Sequence, residues 1–218
     1  TYWIQKLADG KCWMLTNLAY AGGGTNTYND VMPTGDGTSG TLSGPDNAGS
    51  TTYTNAKYYI PDGANPTTAP TEPSTSTDGG ATGKQYGYLY NFCAANRGQT
   101  GNGACTDSSS TAVDTTKSIC PAGWRLPTGA SSGEFAALNT AINGGSTSSP
   151  SGLLATWLAQ YGGGWYGGFV NQGSYGYYWS ATQYSSNGAY VLDFGNSNVN
   201  PSDYINRYYG LSIRCLAL

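Results

Sequence analysis

Side chains that usually perform catalytic or metal chemistry are scarce in this chain. There is no histidine, which removes the commonest general base and the commonest zinc ligand. Glutamate occurs only at Glu72 and Glu134, so a carboxylate pair of the glycosidase kind is not evident. The carboxylates of Asp9, Asp193 and Asp203 are too isolated in sequence to define a calcium site, although a structural calcium site built from loop carbonyls stays open. We therefore expect no enzyme activity and no cofactor.

The cysteines indicate disulfide chemistry. They are Cys12, Cys93, Cys105, Cys120 and Cys215, and none has the paired C-x-x-C spacing of zinc or redox sites. Cys93 and Cys105 bracket a glycine-rich loop, and a disulfide that closes it would remove roughly 3 kcal/mol of unfolded-state entropy. An odd count leaves one thiol over. Disulfide bonds predict an oxidising, extracellular or cell-surface location.

Aromatic residues are concentrated near the carboxyl end. Ten tyrosines lie between 161 and 209, together with Trp165 and Trp179, in a background of Gly, Ser and Asn. Tyrosine supplies rigid contact area at small entropic cost and the short polar residues adapt their hydrogen bonds, as in antibody paratopes. The pattern favours a recognition surface. In the alternative interpretation, many of these tyrosines pack across strands as structural residues.

The charge content narrows the class of partner. Charged residues make up 10% of the chain, with nine Lys and Arg and a net charge of −3, so there is no basic stripe for a nucleic acid. No stretch approaches 18 apolar residues, so we expect no membrane insertion by this segment. A protein and a glycan both stay open as partners, because aromatic faces stack on sugars and also fill protein pockets.

Two local patterns, one near the start of the chain and one in its middle, predict secondary structure. Asp9-Gly10 between two short strand-like runs predicts a β-hairpin with a type I′ turn. Ser131, with Glu134 three residues later, predicts a capping box and a helix over about 132–143.

Further helices are predicted by weaker patterns. Residues 153–160 allow a second short helix, ended by the glycines at 162–164. From Tyr86 onward the segment reads as strand or helix, and the helical spacing of Tyr88, Phe92 and Ala95 favours a short helix.

Two strands are predicted near the carboxyl end. The first is predicted to be half-buried, because Ala189, Leu192 and Phe194 occur with Val191 and Asp193 between them. The second alternates Leu211, Ile213 and Cys215 with Ser212 and Arg214.

Other features are predicted to be structural. We expect Trp124 and Trp179 to fill the core, and one of Arg207 and Arg214 to donate hydrogen bonds to loop carbonyls as a strut. The Gly-, Thr- and Pro-rich stretch 20–84 is predicted to be a long loop or insertion within a single domain over 1–218.

Three ordered motifs resemble a bacterial domain family, the Fibrobacter succinogenes major paralogous domain. They are SICPAGWRLPT at 118–128, YYWSATQYSSNGAYVLDF at 177–194 and YGLSIRC at 209–215. The resemblance covers the opening hairpin and most of 86–218. It implies an α+β, C-type-lectin-like or formylglycine-generating-enzyme-like fold, loop-rich, with short helices on a twisted antiparallel sheet and with the first and last strands paired.

The same resemblance bears on the cysteines. Cys120 and Cys215 stand at motif positions that suit a disulfide bridge, although Cys12 could take either place. An activity like that of the formylglycine generator would need a reactive thiol such as that of Cys12, and no histidine is present to lower its pKa. We therefore favour a non-enzymatic function.

The stretch 175–214 resembles the variable region of proteins diversified by retroelements, in which a template-copying reverse transcriptase mutates adenines. The resemblance implies a hypervariable face that binds a protein or glycan on another cell or surface. The alternative is a structural subunit of an extracellular fibre or coat that self-associates. We expect the ligand-binding side chains to protrude together from one rigid, water-facing patch. The predicted ligand-binding residues are Gln183, Ser185, Gly188, Val191, Asp193, Asn196, Ser202, Asp203, Tyr204, Ile205, Tyr208 and Tyr209.

Overall fold

A computed structural model describes residues 2–20, 58–59, 86–96 and 118–218, which form an α+β structure. The strands are β1 (Ile4–Lys6), β2 (Cys12–Met14), β3 (Tyr58–Tyr59), β4 (Leu89–Tyr90), β5 (Trp124–Arg125), β6 (Gly164–Trp165), β7 (Phe169–Val170), β8 (Tyr175–Gln183), β9 (Gly188–Gly195), β10 (Asn198–Asn206) and β11 (Leu216–Ala217). The helices are α1 (Phe92–Ala95), α2 (Glu134–Asn143) and α3 (Ser151–Thr156). Most of the predicted insertion over 20–84 lies outside the described residues. No helix in the ranges above is long and apolar enough to cross a membrane.

One antiparallel sheet joins the two ends of the described chain. Its strand order is β1-β2-β11-β5. Leu216 pairs with Trp13 on one side and with Arg125 on the other, and the Met14 amide donates to the carbonyl of Cys215 (3.0 Å). The expectation that the first and last strands pair is therefore wrong for β1, which pairs with β2; the second strand of the hairpin, β2, lies beside β11 in the same sheet.

The predicted hairpin is confirmed, but its turn differs from the prediction. Gly10 has a φ of +82°, whereas Asp9 is not among the residues with positive φ, as a type I′ turn would require. The Leu7 amide donates to the carbonyl of Lys11, and the Gly10 amide donates to the carbonyl of Leu7 (both 2.9 Å). This is a three-residue loop with glycine in the left-handed position.

The helix predicted over 132–143 is confirmed as α2, and the predicted capping box is wrong. The N-cap is Gly133 and no side chain caps the helix. A Cβ at Gly133 would lie 2.1 Å from a backbone carbonyl oxygen, so the position excludes a capping side chain. Glu134 does not reach back to Ser131, because its carboxylate forms a two-bond ion pair with Arg125 (2.6 and 2.7 Å).

The second helix begins and ends earlier than predicted. α3 ends at Thr156, and not at the glycines over 162–164. Leu158 has a φ of +53°, and the carbonyls of Trp157 and Leu158 accept hydrogen bonds from the guanidinium of Arg214. The predicted arginine strut is therefore confirmed for Arg214, which is fully buried.

The prediction of a short helix that includes Tyr88, Phe92 and Ala95 is wrong in its first half. That part forms β4, and α1 begins only after Asn91, whose Oδ1 accepts from the Ala94 amide (2.9 Å). The predicted last strand also differs, since Leu211 makes only an isolated bridge to Tyr90. Residues 211–215 are all buried, so the predicted alternation of buried and exposed side chains is absent. The regular strand β11 follows them.

Two hydrophobic clusters lie on either side of a second antiparallel sheet, of order β10-β9-β8. Trp179 and Val191 belong to one cluster, and Leu192 belongs to the other. Because β9 packs into core on both faces, the prediction of a half-buried strand is wrong at Val191. Trp179 is fully buried as predicted, whereas Trp124 is only half-buried.

A disulfide bond ties the middle of the chain to its end. It joins Cys120 and Cys215 across 95 residues of sequence, as the motif positions imply. Cys93 is also disulfide-bonded, and Cys105, its predicted partner, lies outside the described residues. Cys12 carries a free thiol.

Candidate functional site

The β8–β10 sheet sets the direction of those predicted binding side chains that lie on its strands. Val191 on the central strand pairs with Trp179 on β8 and with Asp203 on β10. Leu192 pairs with Tyr178. Because successive side chains of a strand point to opposite faces, we call the face that carries Val191, Trp179 and Asp203 the front face. The back face carries Leu192 and Tyr178.

The structure places the twelve predicted ligand-binding residues in three exposure classes. Gly188 and Val191 are buried, so they offer no side-chain contact to a partner. Asn196 and Tyr204 are exposed. The half-buried residues are Gln183, Ser185, Asp193, Ser202, Asp203, Ile205, Tyr208 and Tyr209.

These residues do not form the single patch that the sequence predicts. Asp203 pairs with Val191 and therefore lies on the front face. The next residue, Tyr204, pairs with Tyr190 and lies on the back face. The expectation is wrong because neighbouring residues of one strand alternate between faces, and β10 has both faces partly open.

One group on the front face combines aromatic and acidic side chains. We call it the front cluster, and it consists of Tyr175, Tyr177, Asp193 and Asp203. The two tyrosine rings stack in parallel, with centroids 5.8 Å apart and planes at 8°. Asp193 pairs with Tyr177 across β8 and β9, and Asp203 lies on the other flank of β9. The cluster therefore spans all three strands.

The electrostatics of the front cluster are unfavourable in the isolated protein. Burial raises the pKa of Asp193 to about 6, and repulsion from Asp203 adds to the effect. Burial also raises the pKa of Tyr177 to about 12, although a hydrogen bond from Asn171 Nδ2 to the phenol oxygen (2.9 Å) opposes the rise. Asp193 Oδ1 is shielded from solvent and accepts no hydrogen bond within the described part of the chain.

A second aromatic group, the tyrosine triplet, consists of Tyr166, Tyr208 and Tyr209. The rings of Tyr166 and Tyr209 stack with centroids 4.5 Å apart, and those of Tyr208 and Tyr209 are 5.0 Å apart. Burial raises the pKa of both Tyr208 and Tyr209. Tyr209 packs against the same hydrophobic cluster as Ile205 and Tyr177, so the triplet borders the front face.

A third group, the back-face stack, consists of Tyr184, Tyr190 and Tyr204. Tyr184 and Tyr204 stack at 3.8 Å, and Tyr190 meets Tyr184 edge-on at 5.3 Å. Tyr184 and Tyr204 are about half exposed, at 47% and 53%. The three rings contact one another. Asp203, the carboxylate of β10, lies on the opposite face of that strand.

Other tyrosines of the region are structural. Tyr161 and Tyr178 are buried in the hydrophobic cluster that contains Leu192. The phenol of Tyr178 accepts from the Gln160 amide (2.9 Å) and donates to the carbonyl of Gln160 (3.3 Å). The alternative interpretation of the tyrosines as packing residues is therefore correct for these two.

The sequence prediction missed the aromatic half of the front cluster. Tyr175 and Tyr177 are not among the predicted ligand-binding residues. Their spacing of two on a strand places both on one face, and this is the signal that could have found them. Asp193 and Asp203 were predicted, but their proximity depends on the pairing of β9 with β10.

The described residues offer little for a metal ion. Across the ranges that the structure describes, no group of three or more His, Cys, Asp or Glu side chains could hold one. The Asp9 carboxylate stabilises its own hairpin, because it accepts hydrogen bonds from Trp13 Nε1 (2.8 Å) and from the Lys11 amide (3.1 Å).

Comparison with known proteins identifies a domain family. The model of the family described as the Fibrobacter succinogenes major domain matches residues 8–217, a span that runs from the opening hairpin to β11 and crosses 20–84. No curated protein and no solved structure matches the chain significantly. The match covers almost the whole chain and agrees with the motifs at 118–128, 177–194 and 209–215. The chain belongs to the Fibrobacter succinogenes major domain family.

Proposed function

We propose that this domain is a ligand-binding module that works outside the cell or at the cell surface. In this proposal the front cluster and the bordering tyrosine triplet form the docking surface for a protein or glycan partner. The observation that carries the proposal is the front cluster itself. It places two stacked phenol rings and two carboxylates on a sheet whose alternate residues fill the core, and nothing among the described residues neutralises the carboxylates.

The scaffold supports this role because the strands that carry the polar surface are packed on hydrophobic core. Strands β8 and β9 pack on core at both faces, and the bond between Cys120 and Cys215 ties β11 to the middle of the chain. Disulfides are typical of extracellular proteins. The pairing of β2 with β11 agrees with the C-type-lectin-like fold that the family resemblance implies, and we propose that fold for the chain.

We also propose that the face is diversified by a retroelement, as the resemblance over 175–214 implies. A near-copy of the last 40 or so codons that differs only at adenines, next to a reverse transcriptase gene, would support the proposal. The structure also suggests at which positions such substitutions would be tolerated. Substitutions should concentrate at front-face positions such as Asp193 and Asp203 and should be rare at buried Val191, where a change of volume disturbs packing.

A binding screen tests the docking surface directly. The purified domain is presented to a glycan array and to a panel of cells, beside the variant Tyr175→Ala/Asp203→Ala and the variant Tyr204→Ala. Tyr204 is a matched control because it is an exposed tyrosine on β10 but lies on the back face. Binding that is lost in the first variant and kept in the second supports the proposal. The opposite pattern, with both variants folded, refutes it.

The competing proposal is a subunit of an extracellular fibre or coat. One observation favours it: among the strands that the structure describes, β1 stands at the edge of its sheet, its three residues are all exposed, and Ile4 is 55% exposed. Filaments in preparations of the pure domain would favour assembly over partner binding if Ile4→Lys abolished them and Tyr175→Ala/Asp203→Ala left them unchanged.

A further inference from the structure

The front cluster has an excess of negative charge that the protein does not balance. Asp193 and Asp203 lie on the same face of neighbouring strands, and each is half-buried. In the described part of the chain, the ion pairs are those of Glu134 with Lys11 and Arg125, and neither aspartate takes part in one. Two like charges held together in a partly desolvated site repel each other, so the arrangement costs stability in the free protein.

The aromatic half of the cluster is an independent observation that points to the same kind of ligand. Tyr175 and Tyr177 stack in parallel on the front face, beside Asp193. The face of a phenol ring carries negative charge and attracts Lys, Arg and organic cations within about 6 Å of its centroid. Rings and carboxylates together therefore favour a cation and disfavour an anion.

A hydrogen-bond acceptor in the cluster is also unused. Asp193 Oδ1 is shielded from solvent, and no described residue donates to it. Buried acceptors in proteins nearly always have a donor. Because Oδ1 is shielded, a ligand would not reach that atom directly, but the Asp193 side chain as a whole is only half-buried. A guanidinium or an ammonium group at this carboxylate would supply N–H donors together with positive charge.

A bare metal ion fits less well than an organic cation. Calcium takes six to eight oxygen ligands, whereas the site offers two carboxylates and contains no group of three acidic or other metal-ligating side chains among the described residues. The phenol rings would also have no role in binding a metal ion. Charge complementarity thus selects a cationic side chain.

We propose that the front cluster receives a lysine or arginine side chain of a partner protein, lodged between the rings of Tyr175 and Tyr177 and the carboxylates of Asp193 and Asp203. This inference rests on the proposed function and deepens it, because it assigns the chemistry of the partner at that surface. It favours a protein over a neutral or acidic glycan.

Small cationic probes test the inference without knowledge of the partner. N-acetyl-arginine amide and N-acetyl-lysine amide are titrated into labelled protein, with N-acetyl-citrulline amide as the uncharged match for arginine. NMR shifts of the Tyr175 and Tyr177 rings and of the aspartate carboxyls report the site. We expect saturable binding of one or both cations, at least tenfold weaker in Asp193→Asn/Asp203→Asn, and at least tenfold weaker for citrulline.

Three results would overturn the inference: equal affinity for citrulline, unchanged affinity in the double variant, or shifts that map to the back-face stack around Tyr184 and Tyr204. The variant Tyr204→Ala serves as the folded control and should bind as the parent does. This test and the screen for partners fail independently. Loss of cell binding in Tyr175→Ala/Asp203→Ala without any cation binding keeps the docking surface and rejects the cationic partner. Cation binding at the front cluster, together with cell or glycan binding that is unchanged in Tyr175→Ala/Asp203→Ala, keeps the cation site and rejects the docking surface.

Discussion

Replacement of Asp193 by Asn should stabilise the protein at neutral pH, which is the opposite of the usual effect of a substitution in a sheet. Asp193 is half-buried next to Asp203, and its carboxylate forms no ion pair with any described residue. Burial, with repulsion from Asp203, raises its pKa from 3.8 to about 6. Asn keeps the size and shape of the side chain and removes the charge.

The expected gain follows from the pKa. Each pKa unit corresponds to about 1.4 kcal/mol, so the rise from 3.8 to about 6 would cost the ionised folded protein about 3 kcal/mol of stability if solvent did not screen the charge. Because the side chain is partly exposed, solvent screening reduces this contribution, and we expect about 1 kcal/mol at pH 8. In a chain of this length that gain raises Tm by about 2–4 °C.

The sign of the pH dependence distinguishes this cause from better packing. The folded protein binds the Asp193 proton more tightly than the unfolded chain, so its favourable contribution is complete below pH 3.8 and is lost as the pH rises through about 6. The other titratable groups of the cluster are Asp203 and the phenols of Tyr175 and Tyr177, and the Tyr177 phenol, with a pKa of about 12, stays neutral in this range. The advantage of Asp193→Asn should therefore grow from pH 4 to pH 8.

Urea unfolding followed by circular dichroism at pH 4, 6 and 8 measures this advantage. Asp203→Asn is the matched control, because it removes the repulsion but leaves Asp193 buried, and it should give a smaller gain. The reasoning is refuted if Asp193→Asn is no more stable than the parent at pH 8, or if its gain is the same at pH 4 and pH 8.

Three further predictions concern the scaffold. Cys120→Ser/Cys215→Ser should lose about 4.7 kcal/mol of stability, because the two cysteines are 95 residues apart in sequence and the bond closes a long loop; urea unfolding of both proteins measures the loss, and a loss under 1 kcal/mol would contradict the loop-entropy argument. Arg214→Lys should lose about 3 kcal/mol or more, because lysine cannot keep the forked hydrogen bonds of a fully buried guanidinium; calorimetry tests this, and an unchanged Tm contradicts it. Burial alone would raise the pKa of Glu134, but hydrogen bonds from Arg125 and a lysine lower it to about 2. The parent should therefore lose stability as the pH falls from 4.5 towards 2, whereas Glu134→Gln should not show this loss; parallel slopes in acid unfolding would contradict it.

Short-range signals in the sequence predict part of the fold correctly. The hairpin around Asp9-Gly10 and helix α2 depend on turn chemistry and on apolar spacing, which act over a few residues. The capping box fails for a long-range reason, since Glu134 is drawn to Lys11, 123 residues earlier in the chain, as well as to Arg125. The choice of partner for a carboxylate is a property of the folded chain.

The candidate site shows the same limit. Residue types near the carboxyl end lead to the prediction of a recognition surface, but they do not reveal which residues share a face. Asp203 and Tyr204 are adjacent in sequence and lie on opposite faces of β10. Val191 is buried because both faces of β9 meet core, and a single alternating pattern cannot predict this. Only the register of β8, β9 and β10 brings Tyr177, Asp193 and Asp203 together.

Hydroxyl-radical footprinting of the domain bound to its partner tests the central claim most directly, because tyrosine rings are oxidised in proportion to their exposure. A cell surface or array ligand that binds in the screen serves as the partner. Oxidation of Tyr175 and Tyr177 should fall on binding, while that of Tyr184 and Tyr204 should stay as it is in the free domain. Protection of Tyr184 and Tyr204 with no change at Tyr175 and Tyr177 would contradict the assignment of the front face as the docking surface.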